Sequence, residues 1–163
     1  MDFENILNRV EAILNSNDFA FDKKLSKICQ LLKNEISYYD WVGFYFAEQS
    51  TKTLHLGPYV GEPTDHKIIP FGKGICGQVA ESNSTFVVED VNAQDNYIAC
   101  SITVKSEIVV PLFANNLNVG QIDIDSNTKN AFGESDKKLL TEINQLISKV
   151  IVNDNVDLKK IWI

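Results

Sequence analysis

Residues 107–125 read EIVVPLFANNLNVGQIDID, and this stretch decides the architecture. Strand-forming residues flank Asn115-Asn116-Leu117-Asn118, a segment with turn chemistry, so the two flanks are expected as antiparallel neighbours. Working outward, Thr85-Phe86-Val87-Val88, Thr53-Leu54-His55-Leu56 and Trp41-Val42-Gly43-Phe44-Tyr45-Phe46 carry the same strand signature. Near the start the apolar period becomes helical, at Phe3, Ile6, Leu7, Val10, Ile13 and Leu14 and again at Leu25, Ile28, Cys29, Leu32 and Ile36. The breaker Asn15-Ser16-Asn17-Asp18 separates these helices, and Asp22 is the expected N-cap of the second. After Phe132, Leu139, Leu140, Ile143, Leu146, Ile147, Val150 and Ile151 define a closing helix. Helix, helix, sheet, helix predicts an α+β fold with the helices packed on the sheet.

The 163 residues are expected to form one domain, with N-terminal helices in 1–38, sheet and pocket in 39–127, the closing helix in 133–153 and a tail in 154–163. Two destinations are open for that tail, which contains Trp162: the opening helices or a second subunit. Fifteen Lys and Arg against 22 Asp and Glu give a net charge of -7, and Arg9 is the sole arginine, which argues against nucleic acid. No apolar run reaches the roughly 20 residues of a membrane span. Met1-Asp2-Phe3-Glu4 is acidic where a signal peptide is basic, so a cytoplasmic protein is expected. Cys29, Cys76 and Cys100 are an odd set, expected as reduced thiols rather than a disulfide framework.

Strand parity sorts the side chains into two faces. Val42, Phe44 and Phe46 share one with Ile108, Val110, Ile122 and Ile124; Trp41, Gly43 and Tyr45 share the other with Glu107, Asp123 and Asp125. An aromatic wall, a glycine that leaves space and three carboxylates suit a small-molecule site. The alternative is a solvated sheet face with ordinary surface acids. Two Asp at i and i+2 inside a strand repel each other and disfavour the strand, a cost that a ligand would explain.

Cys29 falls on the apolar stripe of the second helix and is expected in the core. Cys76 sits in Gly72-Lys73-Gly74-Ile75-Cys76-Gly77 where a helix begins, a position that favours a thiolate. Cys100 lies in Tyr97-Ile98-Ala99-Cys100-Ser101, a connection between strands, where reactive side chains are commonly presented. There is no C-x-x-C pair, and only His55 and His66 could assist a metal, so no metal and no cofactor is expected. The glycine segment also spells G-x-G-x-x-G, but Pro70 interrupts the entering strand and the later strands pair as hairpins, which argues against dinucleotide binding.

Together, Trp41-Val42-Gly43-Phe44-Tyr45, Leu56-Gly57-Pro58-Tyr59, Pro70-Phe71-Gly72-Lys73-Gly74-Ile75-Cys76-Gly77, Ile98-Ala99-Cys100, Ser106-Glu107-Ile108-Val109-Val110-Pro111 and Asp123-Ile124-Asp125-Ser126 resemble the free methionine-(R)-sulfoxide reductase family of single GAF domains. The resemblance implies a GAF-like antiparallel sheet of five to six strands with N- and C-terminal helices on one face. It implies Cys100 as nucleophile, Trp41 and Tyr45 as an aromatic pocket, and Glu107, Asp123 and Asp125 as substrate-binding carboxylates. The implied reaction is reduction of free methionine (R)-sulfoxide through a sulfenic acid and a disulfide recycled by thioredoxin. Members usually carry a further, commonly resolving cysteine before Pro-Phe-Gly, whereas Pro63-Thr64-Asp65-His66-Lys67 has none, leaving Cys76 as the matched partner of Cys100. Ser101 replaces the usual Asp, and Tyr97 stands where His is common. The alternative reading is a non-catalytic GAF sensor that keeps the pocket for another metabolite. Broad apolar stripes on the terminal helices suggest a homodimer.

Overall fold

The computed structural model describes residues 2–98 and 102–163. The helices are α1 (Phe3–Asn15), α2 (Phe21–Glu35), α3 (Gly74–Ser82) and α4 (Glu134–Asn153). The strands are β1 (Trp41–Glu48), β2 (Thr53–Val60), β3 (Ile68–Pro70), β4 (Phe86–Val88), β5 (Ser106–Ala114) and β6 (Leu117–Ser126). Short 3-10 turns occur at Val91–Ala93 and Leu158–Ile161.

The expected hairpin is the centre of the sheet. Asn115 and Asn116 turn with φ of 52° and 64°, the left-handed pair that a two-residue hairpin loop requires and that Asn tolerates. From there β5 and β6 pair antiparallel from Ala114↔Leu117 to Ser106↔Ser126. All six strands form one antiparallel sheet in the order β3-β2-β1-β6-β5-β4. Pro70 lies on edge strand β3, where its missing N–H leaves no gap in the ladder.

The α+β expectation holds, with the two N-terminal helices and the C-terminal helix on one face. Val42, Phe44, Phe46, Ile108, Val110, Leu112, Ile122 and Ile124 are buried there against Val10, Ile28, Leu32, Leu140, Ile143 and Ile147. Asp2 caps α1 by accepting from Asn5 N at 3.0 Å. Asp22 does not cap α2: the helix starts two residues earlier than that cap implies, with Ala20 at the N-cap, and Asp22 sits in its first turn, where its charge still suits the helix dipole. Cys29 is wholly buried in this core, and its thiol donates to Pro58 O at 3.7 Å.

The opposite face is also buried rather than solvated. Trp41, Tyr45, Leu54, Leu56, Ile69, Ile75, Cys76, Val79 and Val109 make a second cluster, with α3 as its lid. Trp41 and Asp125 therefore face protein interior, which turns the cost of the Asp-Ile-Asp repeat from modest to large. The tail packs on its own chain: Trp162 stacks on His55 with ring centroids 3.6 Å apart, Lys159 Nζ meets Glu48 at 2.9 Å and Ile163 N donates to Leu56 O at 2.7 Å.

Candidate active site

Register places the polar side chains in rows across three strands. Trp41 pairs with Asp125, which pairs with Glu107; Gly43 pairs with Asp123, which pairs with Val109. Such partners lie roughly 5 Å apart, so a tryptophan, a vacant glycine position and three carboxylates share one patch. Trp41 is stacked on Tyr59 at 5.2 Å and on Tyr45 at 6.5 Å between centroids. Its indole N–H donates to Glu62 O at 3.0 Å, and the Tyr45 hydroxyl donates to His66 O at 2.9 Å. Both bonds tie the aromatic wall to the loop between β2 and β3.

Gly43 makes that wall possible. A Cβ there would clash with the Trp41 ring, lying 2.6 Å from its Cζ3 and closer still to Cη2, and would stand 2.7 Å from Tyr59 Cβ. Gly43→Ala is expected to push the indole out of its stack and cost about 1–3 kcal/mol, the usual penalty of overpacking, as read by chemical denaturation together with loss of the Trp41 near-ultraviolet signal.

Cys76, the third residue of α3, is buried, and its sulfur meets carboxylates: the thiol donates to Asp123 Oδ2 at 3.2 Å and reaches Glu107 Oε1 at 3.8 Å. Gln121 Nε2 holds the same turn by donating to Cys76 O at 3.2 Å. Burial, and then the charges of Asp123 and Asp125, hold the Glu107 carboxyl well above the usual range. Asp125 is likewise raised well above its usual value by burial, Asp123 and Asp40, and Asp123 is raised by burial. Three acids crowded in a buried site oppose one another's ionisation, which favours their protonated forms. Asp123 Oδ1 and Asp125 Oδ2 are buried with no hydrogen-bond partner among the described residues. Buried acceptors without donors point to a group that comes from outside the chain.

Two clefts border this patch. Tyr45, Cys76, Glu107 and Asp123 line one with Lys73 and Ile98; it is nearly closed, with about 10 Å³ free. Trp41 and Asp125 line the other, of about 410 Å³, with Lys33, Asp40, Glu62 and Thr103. The expected site residues are thus brought onto one face but divided between two neighbouring clefts. Cys100 lies outside the described residues; Ile98 before it lines the first cleft and Thr103 after it the second.

Several contributors were not legible beforehand. Lys33, from the last turn of α2, is the sole cation among the described residues lining the larger cleft. Asn96 accepts from Gly74 N at 3.0 Å and donates to Gly72 O at 2.6 Å, tying the segment before Cys100 to the start of α3. Only the Asn96 residue type hinted at such a loop clamp.

Residues 21–152 match the GAF domain family. The chain is 34% identical over 156 residues to the free methionine-R-sulfoxide reductase of Escherichia coli, covering 96% of this chain and 92% of that one. It is 35% identical over 150 residues to Protein YtsP of Bacillus subtilis, covering 92% and 91%. Among solved structures, the free methionine-R-sulfoxide reductase of Neisseria meningitidis in complex with its substrate superposes with a TM-score of 0.87 at 33% identity, covering 94% of this chain and 92% of that one. The six-stranded antiparallel sheet, with α1, α2 and α4 on one face and α3 over the other, is the fold of a GAF domain. Within that class, the chain belongs to the free methionine-R-sulfoxide reductase family of oxidoreductases.

Proposed function

We propose that this protein reduces free L-methionine (R)-sulfoxide to methionine with Cys100 as nucleophile. The observation that carries this reading is the buried cluster of Glu107, Asp123 and Asp125 beside the Trp41–Tyr45 wall, because sulfoxide reduction needs both a proton donor and an apolar seat for the methyl end. The Cys100 thiolate attacks the sulfoxide sulfur while Glu107 donates a proton to the oxygen; methionine leaves and the oxygen ends as a sulfenic acid on Cys100. Cys76 then attacks that sulfenic sulfur, water departs, and a Cys76–Cys100 disulfide remains for thioredoxin to reduce. Support for a reachable Cys100 comes from Ile98 and Thr103, its neighbours in sequence, which line the two clefts. Asp125 suits the substrate ammonium, and Lys33 across the same cleft suits its carboxylate, a pairing that would select the free amino acid over a peptide-bound residue.

The test is to incubate the protein with free methionine sulfoxide and thioredoxin and to follow methionine. Metabolite binding in the pocket with no methionine formed would instead favour the sensor reading. Lys33→Met is expected to raise KM about tenfold, roughly the worth of one partly solvated charge pair, and to leave kcat nearly unchanged.

pH provides a second test. Because burial and the neighbouring acids raise the Glu107 carboxyl well above its ordinary value of 4.5, its neutral form extends to higher pH, and turnover is expected to fall as pH rises through that raised value. By the same shift, the stability that Glu107 contributes is fully present below pH 4.5 and is lost as pH rises through the folded value. Glu107→Gln keeps the hydrogen-bonding shape without a transferable proton. It is expected to cost about 100-fold or more in kcat, to lessen the alkaline fall in stability to which Asp123 and Asp125 also contribute, and to melt higher than wild type at pH 8.

The remaining readings are a cytoplasmic location, where thioredoxin keeps these thiols reduced, and a homodimer through the helical face where Phe3 and Leu7 lie beside Leu139. Light scattering at micromolar concentration tests the dimer. No helix among the described residues is long and apolar enough to cross a membrane.

A further inference from the structure

We propose that Cys76, Glu107 and Asp123 form a site for one thiophilic divalent cation of the zinc class. Their ligand atoms come from α3, β5 and β6, all lie within 4.8 Å of one another and are all buried. The sulfur stands 3.8 Å from Glu107 Oε1 and 3.2 Å from Asp123 Oδ2. In a tetrahedral zinc site, bonds of about 2.3 Å to sulfur and about 2.1 Å to oxygen separate those ligands by roughly 3.6 Å. The present spacing brackets that value, so an ion can replace the protons between these atoms with little movement of the backbone.

An independent observation points to a ligand here. Asp123 is 1% exposed, yet its Oδ1 has no hydrogen-bond partner among the described residues. A dication would satisfy that oxygen and screen the crowded carboxylates of Glu107 and Asp123 from each other. Sulfur among the ligands selects zinc or cadmium over magnesium or calcium. Three protein ligands leave a fourth position for water or for a donor of the substrate. On binding, the thiol proton passes to solvent, and no electron is transferred.

One consequence rests on the reductase reading. A bound cation engages the resolving sulfur and removes the neutral acid, so zinc is expected to halt methionine formation reversibly, with activity restored by chelation. Binding itself does not depend on that reading.

The experiment is an anaerobic titration of the reduced full chain with cadmium, read by the thiolate-to-cadmium charge-transfer band, followed by displacement with zinc. One equivalent is expected, with the band lost in Cys76→Ser and retained in Cys100→Ser and Cys29→Ser. Asp123→Asn, which preserves side-chain shape, is expected to weaken cadmium at least about tenfold, and circular dichroism confirms that each variant is folded. No band in wild type, a band that survives Cys76→Ser, or a band that disappears with Cys100→Ser overturns the proposal. A protein that binds cadmium through Cys76 but forms no methionine keeps the metal site and discards the reductase. A protein that forms methionine without the band does the reverse.

Discussion

Cys100→Ser is expected to abolish methionine formation even in a single turnover, a loss of more than about 1,000-fold in rate. A serine hydroxyl is a far weaker nucleophile toward sulfoxide sulfur at neutral pH, and neither remaining thiol is suited to replace Cys100. Cys29 is wholly buried on the opposite face of the sheet, and burial pushes its thiol far above the usual range. Cys76 is held among Asp123 and Glu107 as a hydrogen-bond donor. Rapid-quench measurement of methionine per enzyme checks this, and wild-type-like release in the first turnover would remove Cys100 from the mechanism.

Cys76→Ser has the second largest effect, and its signature is different. The first turnover is expected to survive, giving about one equivalent of methionine, after which the enzyme stalls as a Cys100 sulfenic acid that thioredoxin cannot regenerate through a disulfide. The serine hydroxyl can still donate to Asp123, so the acid cluster and the fold persist while the resolving sulfur is gone. A sulfenic-acid-specific probe should label the stalled variant and not the recycled wild type. Normal multiple turnover with thioredoxin would mean that an external thiol performs the resolving step. The lack of a cysteine in Pro63-Thr64-Asp65-His66-Lys67 makes this variant more decisive, because no other described thiol can take over.

The local elements followed from local pattern. A period of two in Trp41–Phe46 and Gly120–Asp125, a helical period in Phe3–Leu14 and Leu139–Ile151, and the Asn115-Asn116 turn each report the conformation of a few neighbouring residues, so a single chain suffices to read them. Parity alone put Trp41, Tyr45, Glu107, Asp123 and Asp125 on one face, because side-chain direction alternates whatever the strand pairs with. The position of Asp22 shows the limit of local reading: a helix boundary depends on how the preceding loop arrives, and Phe21 is drawn into the core region beside α2.

What no local pattern determines is which distant segments meet. The sequence determined that three acids share a face, yet a solvated face and a buried one share the same alternation. Only the packing of α3 over the sheet made these acids interior groups and moved their protonation. Cys76 and Asp123 are 47 positions apart, and their 3.2 Å contact depends on β6 lying between β1 and β5 and on Gln121 clamping the first turn of α3. The same holds for Tyr38 and Tyr39, whose hydroxyls both reach Asp136 at 2.8 Å and anchor the start of α4. The periods of helix and strand are properties of the backbone and belong to the sequence; desolvation, coupled titration and a sulfur among carboxylates are properties of proximity in space, which long-range packing alone creates.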